Sequence, residues 1–443
     1  MKYQAYTLHT YRRIPQMEKL PAQVKRDIEV VGHVLPFKSS RYVVDELIDW
    51  DQYHDDPFFM LNFPQRGMLV PEHYNEIDRI LQREGPGDSL NRAVERIRLS
   101  LNPNPNGQKF NVPEYKGVLL DGVQHKYNET LLFFPVEGQT CHAFCTFCFR
   151  WPQFTLNDIR FSTHDMHPAL GYLKENTEIQ DVLITGGDPA IMRTRLFEKY
   201  FDLLTGPGLE HVHTIRIGTK ALTYWPYRFT SDPDADDLLR LFERTVKRGT
   251  NISLMAHFNH PRALETKVVA KAIQRILSTG VQIRTQSPVL KHINDSGDTW
   301  ARMWRKQVDM GLIPYYMFIA RDTGAQDFFA VPLDQAFAIY NAAYNQVSGI
   351  CRTVRGPSMS CDPGKLHIIG LAEVNGEKVF VLRFIQARKP EWVNRIFFAR
   401  YRPDAYWLSD LEPAFGEKEF FFWNELNEIR SSQHDLCHTE GVH

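Results

Sequence analysis

Gln180-Asp-Val-Leu-Ile-Thr-Gly-Gly-Asp-Pro189 carries the reading of the fold. An apolar run goes straight into paired glycines, the pattern of a buried strand that ends where another group must approach the backbone closely. An ordinary strand-to-helix turn reads the same way, so the stretch gains its meaning from its neighbours. Comparable short runs stand at Leu131 to Phe134, Asp181 to Thr185, His213 to Gly218, Ile252 to His257, Val281 to Gln286 and Tyr315 to Ile319, with helical patterns between them. Such alternation predicts successive βα units and a parallel sheet. Six strands that end in polar or glycine residues predict an α/β fold, a partial or full TIM-like barrel with its chemistry at the C-terminal strand ends. A doubly wound open sheet fits the same pattern.

The flanks differ in character. Residues 1 to 115 hold amphipathic stretches such as Pro71 to Arg83 and Ser89 to Leu101, broken by Pro57, Pro64, Pro86 and the turn-rich Asn102 to Gly107, which predicts a helical N-terminal domain. The barrel core is expected over 116–345. Beyond it, over 346–443, two apolar runs, Leu366 to Leu371 and Lys378 to Ile385, are joined by a segment containing Asn375-Gly376, a hairpin signature. The aromatic and Arg-rich tail from Pro390 reads as packed, irregular structure, and His434, His438 and His443 as a mobile end.

Bulk properties narrow the class. The chain has 443 residues, room for one large catalytic domain with extensions. Its 52 Lys and Arg nearly cancel 53 Asp and Glu, which removes the electropositive footprint of a nucleic-acid binder. No stretch approaches the roughly 20 apolar residues of a membrane span, and no apolar run follows Arg12 and Arg13. With six Cys, three of them within eight positions, the usage suits a metal site in a reducing compartment better than a disulfide framework. The expectation is a soluble cytoplasmic protein without nucleic-acid or membrane partners.

Those three are Cys141-His-Ala-Phe-Cys145-Thr-Phe-Cys148, directly after the first barrel-like strand. Three thiolates occupy three irons of a cubane that usually takes four ligands. The open iron of such a [4Fe-4S] cluster can chelate the amino and carboxyl groups of S-adenosylmethionine (SAM), whose reductive cleavage yields a 5'-deoxyadenosyl radical. A structural zinc site, which usually needs a fourth protein ligand, and simply buried thiols are the alternatives. His142 sits beside a ligand and reads as incidental; Cys351, Cys361 and Cys437 read as buried or incidental thiols. Beside this motif Gly186, Gly187 and Asp188 become candidates for the SAM amino group. His257 and Gln286, at two successive strand ends, are candidates for further contacts, although such residues are commonly structural hydrogen-bonding groups.

Assembled, these residues resemble the lysine 2,3-aminomutase family of radical SAM enzymes over roughly Asp49 to Tyr401. The resemblance rests on the Cys motif with Phe149-Arg150, Leu183 to Pro189, His257-Phe-Asn-His-Pro261, Gln286-Ser-Pro-Val-Leu290 with Asn294-Asp295, and Pro314-Tyr-Tyr316. It implies a pyridoxal 5'-phosphate (PLP)-dependent amino acid 2,3-aminomutase that forms a β-amino acid, with a flavodoxin- or ferredoxin-like reductant and a homo-oligomeric assembly. By position it gives Arg150 the substrate carboxylate, a task suited to a planar two-pronged donor. His257 and Gln286 would touch SAM, Lys365 would be the PLP lysine, and His125-Lys126-Tyr127 would supply phosphate contacts through Lys126.

Three departures bear on this picture. Thr130 stands where a second Arg is expected, and Ser358-Met-Ser-Cys-Asp-Pro-Gly364 replaces a glycine run before Lys365. A PLP-free radical SAM enzyme acting on another metabolite or a peptide is the alternative these two favour. Where lysine-specific members bind the distal ammonium with two Asp, this chain has Arg321, followed by Asp322, and Ser358. Arg321 reverses the charge an ammonium would meet and suits an acidic or neutral side chain; Asp322, one place on, would suit lysine or arginine.

Overall fold

The computed structural model describes residues 1–103, 111–155 and 161–438, with side chains described as far as residue 431. Most of the Asn102 to Gly107 turn, His443 and the side chains of His434, Cys437 and His438 lie outside the described residues.

The N-terminal part contains β1 (Ala5–Thr7), α1 (Ala22–Val34), β2 (Lys38–Ser40), α2 (Pro57–Asn62), α3 (Pro71–Arg83), α4 (Asp88–Ser100), β3 (Glu114–Tyr115) and β4 (Val118–Leu119). The two amphipathic stretches form helices as expected. On α4 Leu90, Ala93, Val94 and Ile97 fall on one buried stripe. Pro57 starts a helix instead of breaking one. It sits at the first position of α2, where its missing N–H costs nothing, and Asp56 accepts from the amides of Phe58 and Phe59, both at 2.8 Å.

An eleven-stranded sheet follows: β5 (Val123–Tyr127), β6 (Thr130–Phe133), β7 (Asp181–Ile184), β8 (Thr214–Thr219), β9 (Asn251–His257), β10 (Gln282–Val289), β11 (Ile313–Ile319), β12 (Arg355–Ser360), β13 (Gly364–Val374), β14 (Glu377–Ala387) and β15 (Ile396–Arg400). Every sheet neighbour is also a sequence neighbour. Strands β6 to β12 run parallel, whereas β5, β13, β14 and β15 pair antiparallel. Sequential order excludes the doubly wound alternative, in which the order reverses at a switch point. With right-handed crossovers it puts all the connecting helices on one face. The fold is α/β with a large mixed sheet, and among the described residues no ladder joins β5 to β15. The two ends nevertheless come near each other, because Lys126 on β5 donates from Nζ to the Cys361 carbonyl between β12 and β13 at 2.5 Å.

The connecting helices are α5 (Trp151–Thr155), α6 (His167–Glu175), α7 (Thr194–Leu204), α8 (Ala221–Tyr224), α9 (Ala235–Lys247), α10 (Lys267–Leu277), α11 (Gly297–Asp309), α12 (Gln326–Phe329) and α13 (Leu333–Asn345). In α10, Val269, Ala272, Ile273 and Ile276 are buried at helical spacing behind a Thr266 cap. Each such buried Ile contributes about 1.5–3 kcal/mol by leaving water. One continuous apolar core runs from Tyr6 to Leu426.

Two departures lie in the C-terminal part. The tail is more regular than its composition suggested, holding β15 and α14 (Trp423–His438), so His434 and His438 belong to a helix rather than a loose end. Strand β12, Arg355-Gly-Pro-Ser-Met-Ser360, has no apolar run and contains Pro357, which hid it from the sequence pattern. The hairpin is as expected: β13 and β14 turn at Asn375 and Gly376, with φ of 52° and 79°.

Candidate functional site

Alternation along the strands divides the sheet into two chemically different faces. Val182, Ile184, Ile215, Ile217, Ile252 and Leu254 are fully buried on one. The other is polar. Ladder partners share a face, and partner by partner this face joins His257 to Gln286, Gln286 to Tyr316 and Tyr316 to Arg355. It continues from Phe318 to Ser358, Ser358 to His367, Ser360 to Lys365 and Lys365 to Gln386. Thus His257, Gln286, Ser358 and Lys365, four residues singled out from the sequence, line one surface. Four strand spacings separate the strands of His257 and Lys365, roughly 19 Å along the sheet.

The Cys loop lies over the C-terminal ends of β6 to β8, and the paired glycines explain how. Gly187 and Asp188 donate their amides to the Gly138 carbonyl, and Asp188 also to the Thr140 carbonyl at 2.8 Å. A Cβ on Gly187 would meet Thr140 O at 2.6 Å and Thr140 N at 2.7 Å; Gly186, with φ of 148°, lies against Gln139. The close approach read from the sequence is therefore filled by the chain's own Cys loop. Gly187→Ala is expected to cost about 1–3 kcal/mol by overpacking and to displace the loop. Denaturant unfolding measures this, and an unchanged midpoint would refute it.

Asp188 is buried and fully engaged. Its carboxylate accepts from Ala190 N at 3.0 Å, Thr219 Oγ1 at 2.6 Å and Lys220 N at 2.9 Å. Burial raises its pKa to about 6, against the lowering effect of these donors. Here Asp188 organises the end of β8 rather than offering a free carboxylate.

Cys141, Cys145 and Cys148 are unpaired and half-buried. Burial raises all three thiol pKa values, Cys148 to about 12, and for Cys141 and Cys148 repulsion from neighbouring thiols adds to the rise. A bound cation inverts that situation, since a coordinating thiol is deprotonated outright. Among the described residues no three His, Cys, Asp or Glu side chains converge tightly enough to hold a single metal ion. Lys220 faces the same recess: burial lowers its pKa while the three thiols and Asp188 raise it, and it bonds to Asn259 Oδ1 and packs over Phe147 and Tyr224. His257 stacks on Phe147, its Nδ1 is buried without a partner, and burial takes its pKa to about 3, so it presents a neutral ring. The Gln286 side chain has no hydrogen-bond partner among the described residues.

Next to the thiols stand two guanidiniums. Arg150 lies 4.7 Å from the Phe134 ring and 5.2 Å from that of Phe149; burial, with a smaller contribution from Arg321, lowers its pKa to about 10. Arg321 lies 5.4 Å from the same Phe149 ring, donates to the Ser360 carbonyl at 2.6 Å, and has a buried Nε without a partner. Neither Arg has an acidic partner among the described residues. Ser358 Oγ is also buried and unbonded. Asp322 follows Arg321 and is half-buried.

Lys365 Nζ donates to Gln386 Oε1 at 3.0 Å and lies 4.3 Å from the Tyr316 ring. Burial lowers its pKa to about 8. Beside it, burial and then Arg388 lower Lys126 to about 7. Asp362 lies beside Lys126 in this corner. It is held by Arg388 at 2.6 Å and by Arg430 of α14 at 2.7 Å. Lys126, Arg388 and Arg430 thus bring three cations to Asp362, a balance that suits an anionic group. His125 turns away to Tyr172, and Thr130 bonds to Asp181.

Sequence reasoning missed Lys220, Tyr224 and Asn259. Lys220 could have been found by reading the end of the His213 to Gly218 strand as the other strand ends were read.

The chain is 31% identical over 395 residues to a provisionally named L-lysine 2,3-aminomutase of Aquifex aeolicus (strain VF5), across 89% of this chain and 92% of that protein. It is 27% identical to the L-lysine 2,3-aminomutase of Methanococcus maripaludis across 44% and 42% of the two chains. It is 23% identical to that of Clostridium subterminale across 65% and 64%. The crystal structure of Streptococcus suis SuiB bound to S-adenosylmethionine superposes with a TM-score of 0.34 and 12% identity over 61% of this chain and 56% of that one. No family model matches the chain. No helix among the described residues is long and apolar enough to cross a membrane.

Proposed function

Because the chain belongs to the L-lysine 2,3-aminomutase family, we propose that it is a radical SAM enzyme moving an amino group between adjacent carbons of an amino acid. The observation that supports this reading is the polar sheet face shared by His257, Gln286, Ser358 and Lys365, with Arg150 beside Cys148 and Arg321. Cys141, Cys145 and Cys148 would hold the cluster, His257 and Gln286 would contact SAM, and Lys365 would hold PLP with Lys126 and Arg388 near its phosphate. When bound, these groups supply a hydrogen-abstracting carbon radical and an electron-delocalising carrier for the migrating nitrogen.

The chain's own residues set the geometry. Arg150 binds the substrate carboxylate as a two-pronged donor. Gln386 orients the Lys365 amine, and Tyr127, Tyr316 and Phe318 pack around it and keep water away. Two guanidiniums with no acidic partner among the described residues, beside one phenyl ring, favour a substrate with two carboxylates, the second on Arg321. Anaerobic incubation with SAM, a reductant and candidate amino acids tests the reading, with a β-amino acid as the expected product. No product from any common amino acid, with cluster and PLP both bound, would reject it.

Substrate choice has its own test. Arg321→Asp is expected to lower kcat/KM for a dicarboxylic amino acid by about two to three orders of magnitude, because a charged partner is removed and a like charge installed. An unchanged kcat/KM would take Arg321 out of the substrate site.

A further inference from the structure

A cavity of about 1200 Å³ lies outside the site described above, on the far side of the Cys loop. Its inner wall is aromatic. Tyr3 donates its hydroxyl to the His142 carbonyl at 2.8 Å, and the Tyr3 ring lies 5.5 Å from His142 and 4.9 Å from Trp225. His142 is the residue after Cys141, so one layer of rings separates the groove from the thiols. The acids of the wall are already engaged: Glu198 with Arg244, Asp237 with Arg240, Asp234 with Arg228, and Asp232 with the Trp225 indole. Lys2, Arg193 and Arg195 also line the groove, are exposed, and have no acidic partner among the described residues.

We propose that this groove is the docking surface for a small acidic one-electron carrier protein of the flavodoxin or ferredoxin type. The inference rests on the proposed function, which needs one electron per cluster reduction. The carrier is oxidised by one electron and the cluster reduced by one, with no proton or leaving group involved. Unbalanced cations at the rim attract an acidic partner and orient it. The cavity exceeds the usual range of about 300–1,000 Å³ for small ligands, which favours a protein surface over a small anion. Close to the thiols, the aromatic wall gives the electron a short path without opening the substrate side.

The test uses the cluster-reconstituted full chain with photoreduced flavodoxin, following loss of the iron–sulfur absorbance by stopped flow. Arg193→Glu/Arg195→Glu is expected to slow reduction at low salt at least about tenfold and to flatten its salt dependence, while reduction by dithionite stays at the wild-type rate. Both positions are exposed at the start of α7, where acidic residues are tolerated by the helix dipole. Equal rates with flavodoxin for variant and wild type would overturn the docking surface. Failure of the wild type to form any iron–sulfur band would instead overturn the reading beneath it.

Discussion

Cys148→Ala is expected to eliminate the iron–sulfur absorbance of the reconstituted protein and to reduce SAM cleavage at least about 100-fold. Partners one bond removed from a metal ligand already alter affinity or activity by about 10–100-fold, and Cys148 would be a direct ligand. The thiol contributes little to the fold as it stands. It is half-buried, and burial and repulsion from Cys145 disfavour its ionisation. The apo variant should therefore unfold within about 1 kcal/mol of the apo wild type, since a small, partly exposed side chain leaves little cavity behind. A variant that keeps the absorbance, or one that loses stability without losing turnover, would make the Cys triad structural. Cys351 is an internal control, being buried and remote from the other thiols in the chain.

Lys365→Ala is expected to remove the borohydride-trapped PLP adduct completely and, with it, amino migration. Peptide mapping of the wild type should find the label on Lys365 alone. An adduct that persists in the variant, or maps to Lys126, would refute the assignment. The pH dependence follows from burial, which holds the Lys365 ammonium at about 8 against an ordinary 10.5. The folded chain binds this proton less readily than the unfolded one. The resulting cost to stability is present in full below about pH 8 and fades as pH rises from there towards 10.5. Trapping, which needs the neutral amine, should increase through the same value near 8. Lys365→Ala should be no less stable than the wild type at pH 7, because it removes a poorly solvated charge. Loss of function without loss of stability is the signature of a residue retained for chemistry.

The fold was legible where strands are apolar and end in glycine or polar residues. All six runs read from the sequence are strands, and Pro71–Arg83 is a helix at the predicted bounds. Strand β12 escaped because Arg355, Ser358 and Ser360 are polar, and a strand of polar residues with a proline carries no periodic apolar signal. The Cys loop was legible because its spacing is local. Lys220, Asn259 and Tyr224 were not, since only the parallel register brings the ends of β8 and β9 against a loop more than seventy residues earlier. The glycine pair shows the limit of motif reading. Its need for close approach was read correctly, and what approaches it is the chain's own backbone.

The clamp on Asp362 ties the Lys365 loop to the last helix. Arg388 and Arg430 hold the two carboxylate oxygens of a residue three places before Lys365. During synthesis the Cys loop and the parallel strands leave the ribosome first, and domains tend to fold as they emerge. Until α14 has been made, the Asp362 carboxylate has Arg388 without Arg430. The chemistry-bearing surface is therefore completed only after α14 has been made, and a chain released before that point has its thiols in place before its amine corner is fully clamped.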